Sequence, residues 1–338
     1  MTPAWQPRLA QWMAGQLGLS GPLTLEPIAG GQSNPTYFAT MGGAEFVLRK
    51  QPAGPLLKGA HAIDREFQVQ TALAATPVPV PRMVAFCADS GIIGTPFYLM
   101  QRVAGRVWHQ TTLPGVSPDE RRQMYLAVAR TMAAMHAVDP AAVGLGTYGR
   151  PGNYFARQVA RWGRQWAEAL NKGIPELDEL HAWLLAHMPE DDGLSAIAHG
   201  DFRIGNILFA PDKPAVAAVL DWELSTLGHP LADLGFFCLC WRSRADEYGG
   251  LADTNWAALG IPSKAEFLAA YHAHAAHGAR LRPFHEAFAL FRFAIIFVGI
   301  ADRALQGNAA GNAAADAMRL ARAFARHGLT AALEGATV

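Results

Sequence analysis

Between residues 199 and 223 the chain sets out an aspartate, an asparagine and a second aspartate: Asp201, Asn206 and Asp221. Phosphoryl transfer from ATP needs such a set. One carboxylate orients the acceptor hydroxyl, while an amide and another carboxylate hold the magnesium that bridges the phosphates. The residues stand in His199-Gly-Asp-Phe-Arg-Ile-Gly-Asn206 and Val219-Leu-Asp-Trp-Glu223. The step from Asp201 to Asn206 equals that between base and metal-binding Asn in kinase catalytic loops. Asp201 is therefore the expected catalytic residue, and Asn206 and Asp221 the expected Mg2+ ligands. Magnesium takes hard oxygen donors and keeps several waters, so one amide and one carboxylate beside the phosphates suffice. Any one of the three alone would read as a loop-fixing or turn residue; together they point to catalysis.

These side chains need rigid supports. Ala217-Ala-Val-Leu220 reads as an apolar strand delivering Asp221. Residues 21–50 alternate apolar and polar positions around Gly30-Gly31 and Gly42-Gly43, the pattern of a hairpin-rich sheet. Residues 60–74 have helical periodicity through Ile63, Phe67 and Leu73, and Thr76-Pro-Val-Pro-Val-Pro81 must run extended. Further strands are expected at 84–86 and 97–100. Ser117-Pro-Asp-Glu120 starts a helix running to Val138, with more helices over 153–170, 176–188, 264–277, 283–305 and 312–333. Pro7 to Leu17 reads as an amphipathic helix packed on the domain. The expected fold class is α+β: a small antiparallel-sheet N-terminal lobe over 1–103 and a larger, mainly helical C-terminal lobe over 104–338.

Composition narrows the function classes. Lys plus Arg and Asp plus Glu both number 28, so the overall basic footprint of a nucleic-acid binder is missing. Cys87, Cys238 and Cys240 form no CxxC pair, which fits a reducing, cytoplasmic setting. The apolar run Phe293 to Ala301 follows Arg292 and is too short to span a bilayer, so no membrane partner is expected. The N-terminus lacks a charged region followed by a cleavable apolar core, which speaks against secretion. There is no GxGxxG after a strand, the mark of a dinucleotide-binding dehydrogenase.

The catalytic stretch, with Leu220-Asp-Trp-Glu223 and Gly228-His-Pro-Leu-Ala-Asp-Leu-Gly235, resembles the aminoglycoside phosphotransferase and choline kinase family. Gly30-Gly-Gln-Ser-Asn-Pro-Thr-Tyr37, Phe46-Val-Leu-Arg-Lys50, His61-Ala-Ile-Asp-Arg-Glu66, Gly94-Thr-Pro-Phe-Tyr98 and Arg150-Pro-Gly-Asn-Tyr-Phe155 resemble one branch, the kinase-like domains associated with acyl-CoA dehydrogenases. The resemblance implies a protein-kinase-like bilobal fold with ATP between the lobes. Gly30, Gly31, Ser33 and Asn34 would then cover the phosphates. A strand cation paired with Glu66 would reach them. Alternation puts Val47 and Arg49 on one face and Leu48 and Lys50 on the other, without saying which face meets ATP. The family context favours Arg49, with Lys50 as the alternative. Met100, Gln101 and Val103 would form the adenine hinge through backbone groups. Asp233 would brace the catalytic loop, and His199 would serve structure.

The acceptor is expected to be a small molecule. Aminoglycosides are polycations and favour carboxylate-lined pockets. Here Arg157, Arg161 and Arg164 share a helical face, and across 271–338 Arg280, Arg282, Arg292, Arg303, Arg319, Arg322 and Arg326 outnumber Glu286, Asp302, Asp316 and Glu334. An anionic, CoA-linked acceptor such as a hydroxyacyl-CoA thus stands ahead of an aminoglycoside or another small alcohol. Arg157, Arg161, Trp222 and Glu223 are the expected acceptor contacts, with Trp162, Trp166, Trp222 and Trp241 as flanks for an acyl arm. A protein kinase is disfavoured by Trp-Glu after Asp221 and the lack of Ala-Pro-Glu, and a nucleotide-sensing pseudokinase by the intact Asp201, Asn206 and Asp221.

Overall fold

A computed structural model of the chain describes residues 3–28, 34–54, 62–306 and 311–334. Five antiparallel strands form the N-terminal sheet: β1 (Leu23–Pro27), β2 (Thr36–Met41), β3 (Ala44–Lys50), β4 (Met83–Cys87) and β5 (Phe97–Gln101), in the order β1-β2-β3-β5-β4. Gly42 and Gly43, at φ 59° and 79°, make the β2–β3 turn, a double left-handed conformation that favours glycine.

One face of this sheet packs Leu48, Phe97 and Leu99 against Leu9 and Met13 of α1 (Gln6–Leu17). The short α3 (Ser90–Ile93) adds Ile93 to the same cluster. Helix α2 (Ile63–Leu73) contacts β4 and β5. Its Val69 and Leu73 are buried in the larger C-terminal core, so this helix is shared between the lobes.

The expected helices are present: α4 (Pro118–His136), α5 (Tyr154–Ala167), α6 (Pro175–Ala186), α9 (Pro283–Gln306) and α10 (Gly311–Glu334), while α8 (Lys264–His272) stops five residues short of the expected 277. Ser117 caps α4 by accepting the Glu120 N–H, with proline in the first turn, as its sequence predicts. The apolar run at 293–301 belongs to the 24-residue α9, which is long and apolar enough to cross a membrane. That length packs the interior, with 78% of its most apolar window buried, chiefly against α10, α6, α5 and the helix Pro230–Cys238.

Two small ribbons carry the chemistry. Strand β6 (Ala196–Ala198) pairs with β9 (Thr226–Gly228), and β7 (Ile207–Phe209) pairs with β8 (Val216–Val219). The loop of residues 199–206 runs from β6 to β7, and Asp221 follows β8. The Pro-rich segment runs extended and its Pro79 carbonyl accepts the Val219 N–H at 2.8 Å. Helix α7 (Pro230–Cys238) is buried along its whole length beneath the loop.

Candidate active site

The catalytic loop is held from below. Asp233, in the first turn of α7, accepts the His199 N–H at 2.6 Å and the Gly200 N–H at 2.8 Å. Burial opposes its ionisation, yet His136, 3.4 Å away, together with His199 and the Gly200 N–H, holds its carboxyl below the usual range. Gly200 sits at φ 83°, where a Cβ would meet the Leu224 carbonyl at 2.6 Å, so both conformation and space demand glycine. His199 Nδ1 accepts the Asp201 N–H at 3.2 Å, which leaves Nε2 to donate to the Leu220 carbonyl at 2.9 Å. This imidazole thus couples the loop to the segment that presents Asp221.

Asn206 donates its amide to the Asp201 carboxylate at 2.8 Å and to the Asp201 carbonyl at 2.9 Å. With its nitrogen so used, its Oδ1 is left as a hard acceptor for a cation. Asp221 stands at φ 64°, left-handed backbone that is uncommon outside glycine and recurs at functional sites. Its carboxylate meets Arg49 Nη2 at 2.7 Å. Arg49 Nε lies 2.9 Å from Glu66, and Glu223 is 3.9 Å from the same guanidinium. Glu66 also accepts the Asn34 amide at 2.9 Å and the Tyr98 hydroxyl at 3.0 Å.

The electrostatics follow from this packing. Burial, reinforced by the Asp221 and Glu223 charges, pushes the Glu66 carboxyl up to about 7 against the pull of Arg49. Burial works against the Arg49 charge, but Glu66, Asp221 and Glu223 together outweigh it and raise its pKa.

The expected residues divide accordingly. Asp201, Asn206, Asp221, Arg49 and Glu66 come together, and Glu223 joins them on the Arg49 side. Lys50 is corrected: it lies on the opposite sheet face, with Nζ 5.6 Å from the Trp5 ring, and burial lowers its pKa. Trp222 is corrected as well. It is 0% exposed and donates to the Val219 carbonyl, so it is core and not an acceptor contact. Gly30, Gly31 and Ser33 lie outside the described residues. Asn34 is buried and donates its amide to Glu66. Arg157 is engaged by the Arg150 carbonyl at 2.6 Å and the Pro151 carbonyl at 3.3 Å, which fixes the loop before α5, while Arg161 is exposed. In the hinge, Met100 pairs with Val47 and shares the Arg49 face. The Gln101 N–H is used by the Arg82 carbonyl at 2.8 Å, leaving the backbone around Val103 for a ligand.

Other site residues escaped the sequence reading. Arg203 donates to the Asp201 carboxylate at 3.2 Å, and its place between Asp201 and Asn206 was the available signal. Arg292 of α9, counted in the sequence only within the arginine excess of 271–338, donates to the Gly200 carbonyl at 2.6 Å across 92 residues of sequence. Beside Arg203 a cavity of about 60 Å³ is lined by Thr111, Phe236, Tyr248 and Phe293. Arg65, next to Glu66, stacks 4.0 Å from the Tyr148 ring and donates to the Tyr148 carbonyl at 2.7 Å. The Tyr148 hydroxyl returns a bond to the Arg65 carbonyl at 3.1 Å and meets Ser225 Oγ at 2.7 Å. Helix α2 is thereby tied to the segment just past Asp221.

A five-stranded lobe carrying an Arg–Glu pair, over a helical lobe carrying Asp201, Asn206 and Asp221, defines a kinase-like phosphotransferase. Residues 24–284 match the phosphotransferase enzyme family, and the chain belongs to it. It is 39% identical to mouse acyl-CoA dehydrogenase family member 10 over 329 residues, covering 95% of this chain and 30% of that protein. It is 40% identical to human acyl-CoA dehydrogenase family member 11 over 292 residues, covering 85% and 37%. The chain thus spans about a third of the length of these relatives. Among solved structures it is similar to a Ralstonia eutropha protein classed provisionally as an aminoglycoside phosphotransferase, with 43% identity, a TM-score of 0.88 and coverage of 97% and 98%. It shares the fold of aminoglycoside phosphotransferase APH(4)-Ia in complex with AMP-PNP and hygromycin B, at 17% identity, a TM-score of 0.62 and coverage of 95% and 98%.

Proposed function

We propose that the protein moves the γ-phosphoryl group of ATP to a hydroxyl of a small molecule, with a hydroxyacyl-CoA ahead of an aminoglycoside as acceptor. The observation that carries the reaction is the convergence of Asp201, Asn206, Asp221 and the Arg49–Glu66 pair on one cleft. Asn206 Oδ1 and the Asp221 carboxylate would hold magnesium. Both are hard oxygen donors, and among the described residues no group of three His, Cys, Asp or Glu side chains competes for a metal. The ion, when bound, neutralises charge on the β- and γ-phosphates.

The remaining work falls to the chain itself. Arg49, held in place by Glu66, offers a fixed cation to the phosphates. Asp201, steadied by Asn206 and Arg203, accepts a hydrogen bond from the acceptor hydroxyl and orients its oxygen in line with the γ-phosphorus. As the new P–O bond forms, the bond to the β–γ bridging oxygen breaks and ADP leaves. The acceptor proton passes to Asp201. No enzyme nucleophile is needed, and positioning with charge neutralisation supplies the rate.

Support for an anionic acceptor comes from Arg292 beside Gly200 and exposed Arg161 and Arg303 on the two helices that flank the site. The aromatic cavity by Arg203 offers apolar surface for an acyl arm. The relatives' names agree with a CoA-linked substrate. A protein acceptor fits less well, because Asp221 is followed so soon by β9 at Thr226 and α7 at Pro230 that no activation loop intervenes. A dinucleotide loop is likewise unsupported: Gly144-Leu-Gly-Thr-Tyr-Gly149 has the glycine spacing but sits in turns after α4, with no strand before it.

The test is Mg-dependent transfer from ATP to a panel of hydroxyacyl-CoAs and aminoglycosides, with Asp201→Asn as control. Transfer to a hydroxyacyl-CoA that disappears in the variant supports both parts. Transfer to aminoglycosides alone overturns the acceptor, and no Asp201-dependent transfer to any of them overturns the reading.

A further inference from the structure

The cavity beside Arg203 is closed at one end and apolar along most of its wall. Arg203 and Gly205 of the catalytic loop face Phe237 of α7, Phe293 of α9 and Phe324 of α10 across it. No carboxylate lines it. The hydroxyls of Ser243 and Thr111 are spent on backbone, Ser243 donating to the Leu239 carbonyl at 3.1 Å and Thr111 to the Gly249 carbonyl. Phe237 and Phe324 are buried and close the deep end, while Tyr248, half exposed, stands at the open end.

Tyr248 is held there at a conformational cost. Its φ is 68° and that of Gly249 is 76°. A bulky residue in left-handed backbone is a rarity, kept only where its surroundings over-determine it. Here the Gly249 N–H donates to the Ala245 carbonyl at 3.1 Å and the Gly250 N–H to the Arg244 carbonyl at 2.8 Å. Gly250 lies so close to the Ser243 carbonyl that no side chain fits. The turn itself favours glycine at 248, so what the strain retains is the ring. That ring stands 5.0 Å from Phe293 and 5.6 Å from Phe297, with the Arg203 guanidinium 5.5 Å away.

Arg203 also donates to the Asp201 carboxylate at 3.2 Å. The cavity thus begins one side chain away from the group that orients the acceptor hydroxyl. A hydroxyl held at Asp201 brings its neighbouring carbons to the Tyr248 end. The long arm and phosphates of CoA do not fit a volume of about 60 Å³, so the free end of the chain is the part that enters. By the roughly 30 Å³ that a water-sized group occupies, that volume holds about two or three carbons. We propose that this cavity receives the free end of the acceptor's acyl chain, beyond the phosphorylated hydroxyl, and that Tyr248 determines specificity by limiting that end to about three carbons. The inference rests on the hydroxyacyl reading above and deepens it.

The experiment is calorimetric titration of the full chain with hydroxyacyl-CoAs carrying one, three or five carbons beyond the hydroxyl, with AMP-PNP and magnesium in the cleft. Affinity is expected to rise about tenfold from one carbon to three, at about fourfold for each methylene buried. It should fall at least about tenfold at five, the scale for overfilling a packed site. Tyr248→Gly suits the left-handed backbone and removes the ring, and is expected to bind the five-carbon member at least about tenfold tighter than the parent does. Tyr248→Phe keeps the ring and should keep the parent's order. Affinity that climbs through five carbons in the parent overturns the subsite. So does an order unchanged in Tyr248→Gly, or no saturable binding of any member below about 1 mM. The readout is binding and not turnover. A chain-length limit without Asp201-dependent transfer from ATP would sink the reaction and keep the subsite, and transfer without the limit would do the reverse.

Discussion

Arg49 Nη2 lies 2.7 Å from Asp221 while Nε of the same side chain lies 2.9 Å from Glu66, so one guanidinium joins the sheet, α2 and the strand end of the C-terminal lobe. The planar fork makes this bridging possible: its nitrogens face two carboxylates at once, which an ammonium point charge does less well. Lys50, its neighbour, is excluded from the cleft by the alternation of the strand.

Arg49→Lys is accordingly expected to raise the KM for ATP about tenfold or more, through loss of the two-sided contact. Lys50→Ala should leave that KM within about twofold, its cost falling on packing near Trp5 instead. Steady-state kinetics at saturating acceptor separates the two.

Glu66 predicts a pH dependence of stability. Its folded-state pKa is raised to about 7 from an ordinary 4.5, so between those values the folded protein holds a proton that the unfolded chain has lost. The contribution is fully present below the unfolded value and is lost as pH rises through about 7, with a limiting slope of about 1.4 kcal/mol per pH unit. Urea denaturation of the parent and of Glu66→Gln from pH 5 to 8 checks it. The stability difference between them should shift towards the variant as pH rises, and a pH-independent difference would refute the assignment.

The Asp233 brace is a stability element with a catalytic consequence. Asp233→Ala leaves the buried His199 and Gly200 N–H groups unpaired, for an expected loss of about 3 kcal/mol or more. Thermal melts read the first effect. Asp233→Asn retains one acceptor oxygen and is expected to fall between parent and alanine variant in both melting temperature and kcat.

Arg65 acts on the nucleotide side through α2. Arg65→Ala removes the Tyr148 stacking and the bonds to the loop after Asp221, and should raise the KM for ATP more than the KM for the acceptor. Its stability cost is expected at about 1–2 kcal/mol, the range for one cation–π contact with its hydrogen bonds. An effect on acceptor KM alone would show that the clamp does not position Glu66.

How much could be read from the chain depended on range. Asp201 and Asn206 sit in one short loop and Asp221 ends a short strand, so their types and spacing were legible without a fold. The cap at Ser117 and the turn at Gly42-Gly43 were legible too, because backbone sterics and a side-chain cap act within a few residues. Helix α7 was not, since it is apolar all round and shows no periodic face. Strands of three residues, such as β6 and β9, are too brief to show alternation. Trp222 looked like an acceptor contact because its type suits one, and it proved to be core.

Local order along the chain thus specified the reacting groups, and packing between distant segments specified which neighbours they have. Strand alternation separates Arg49 from Lys50 but is symmetric between faces. The choice came from where α1 and α2 lie, with Leu9 and Met13 covering one face and Glu66 meeting the other. Arg292 reaches Gly200 only because α9 packs against α7 as it buries its apolar length. Burial of apolar surface is non-directional and acts between any segments that meet, so such contacts leave no mark in neighbouring residues.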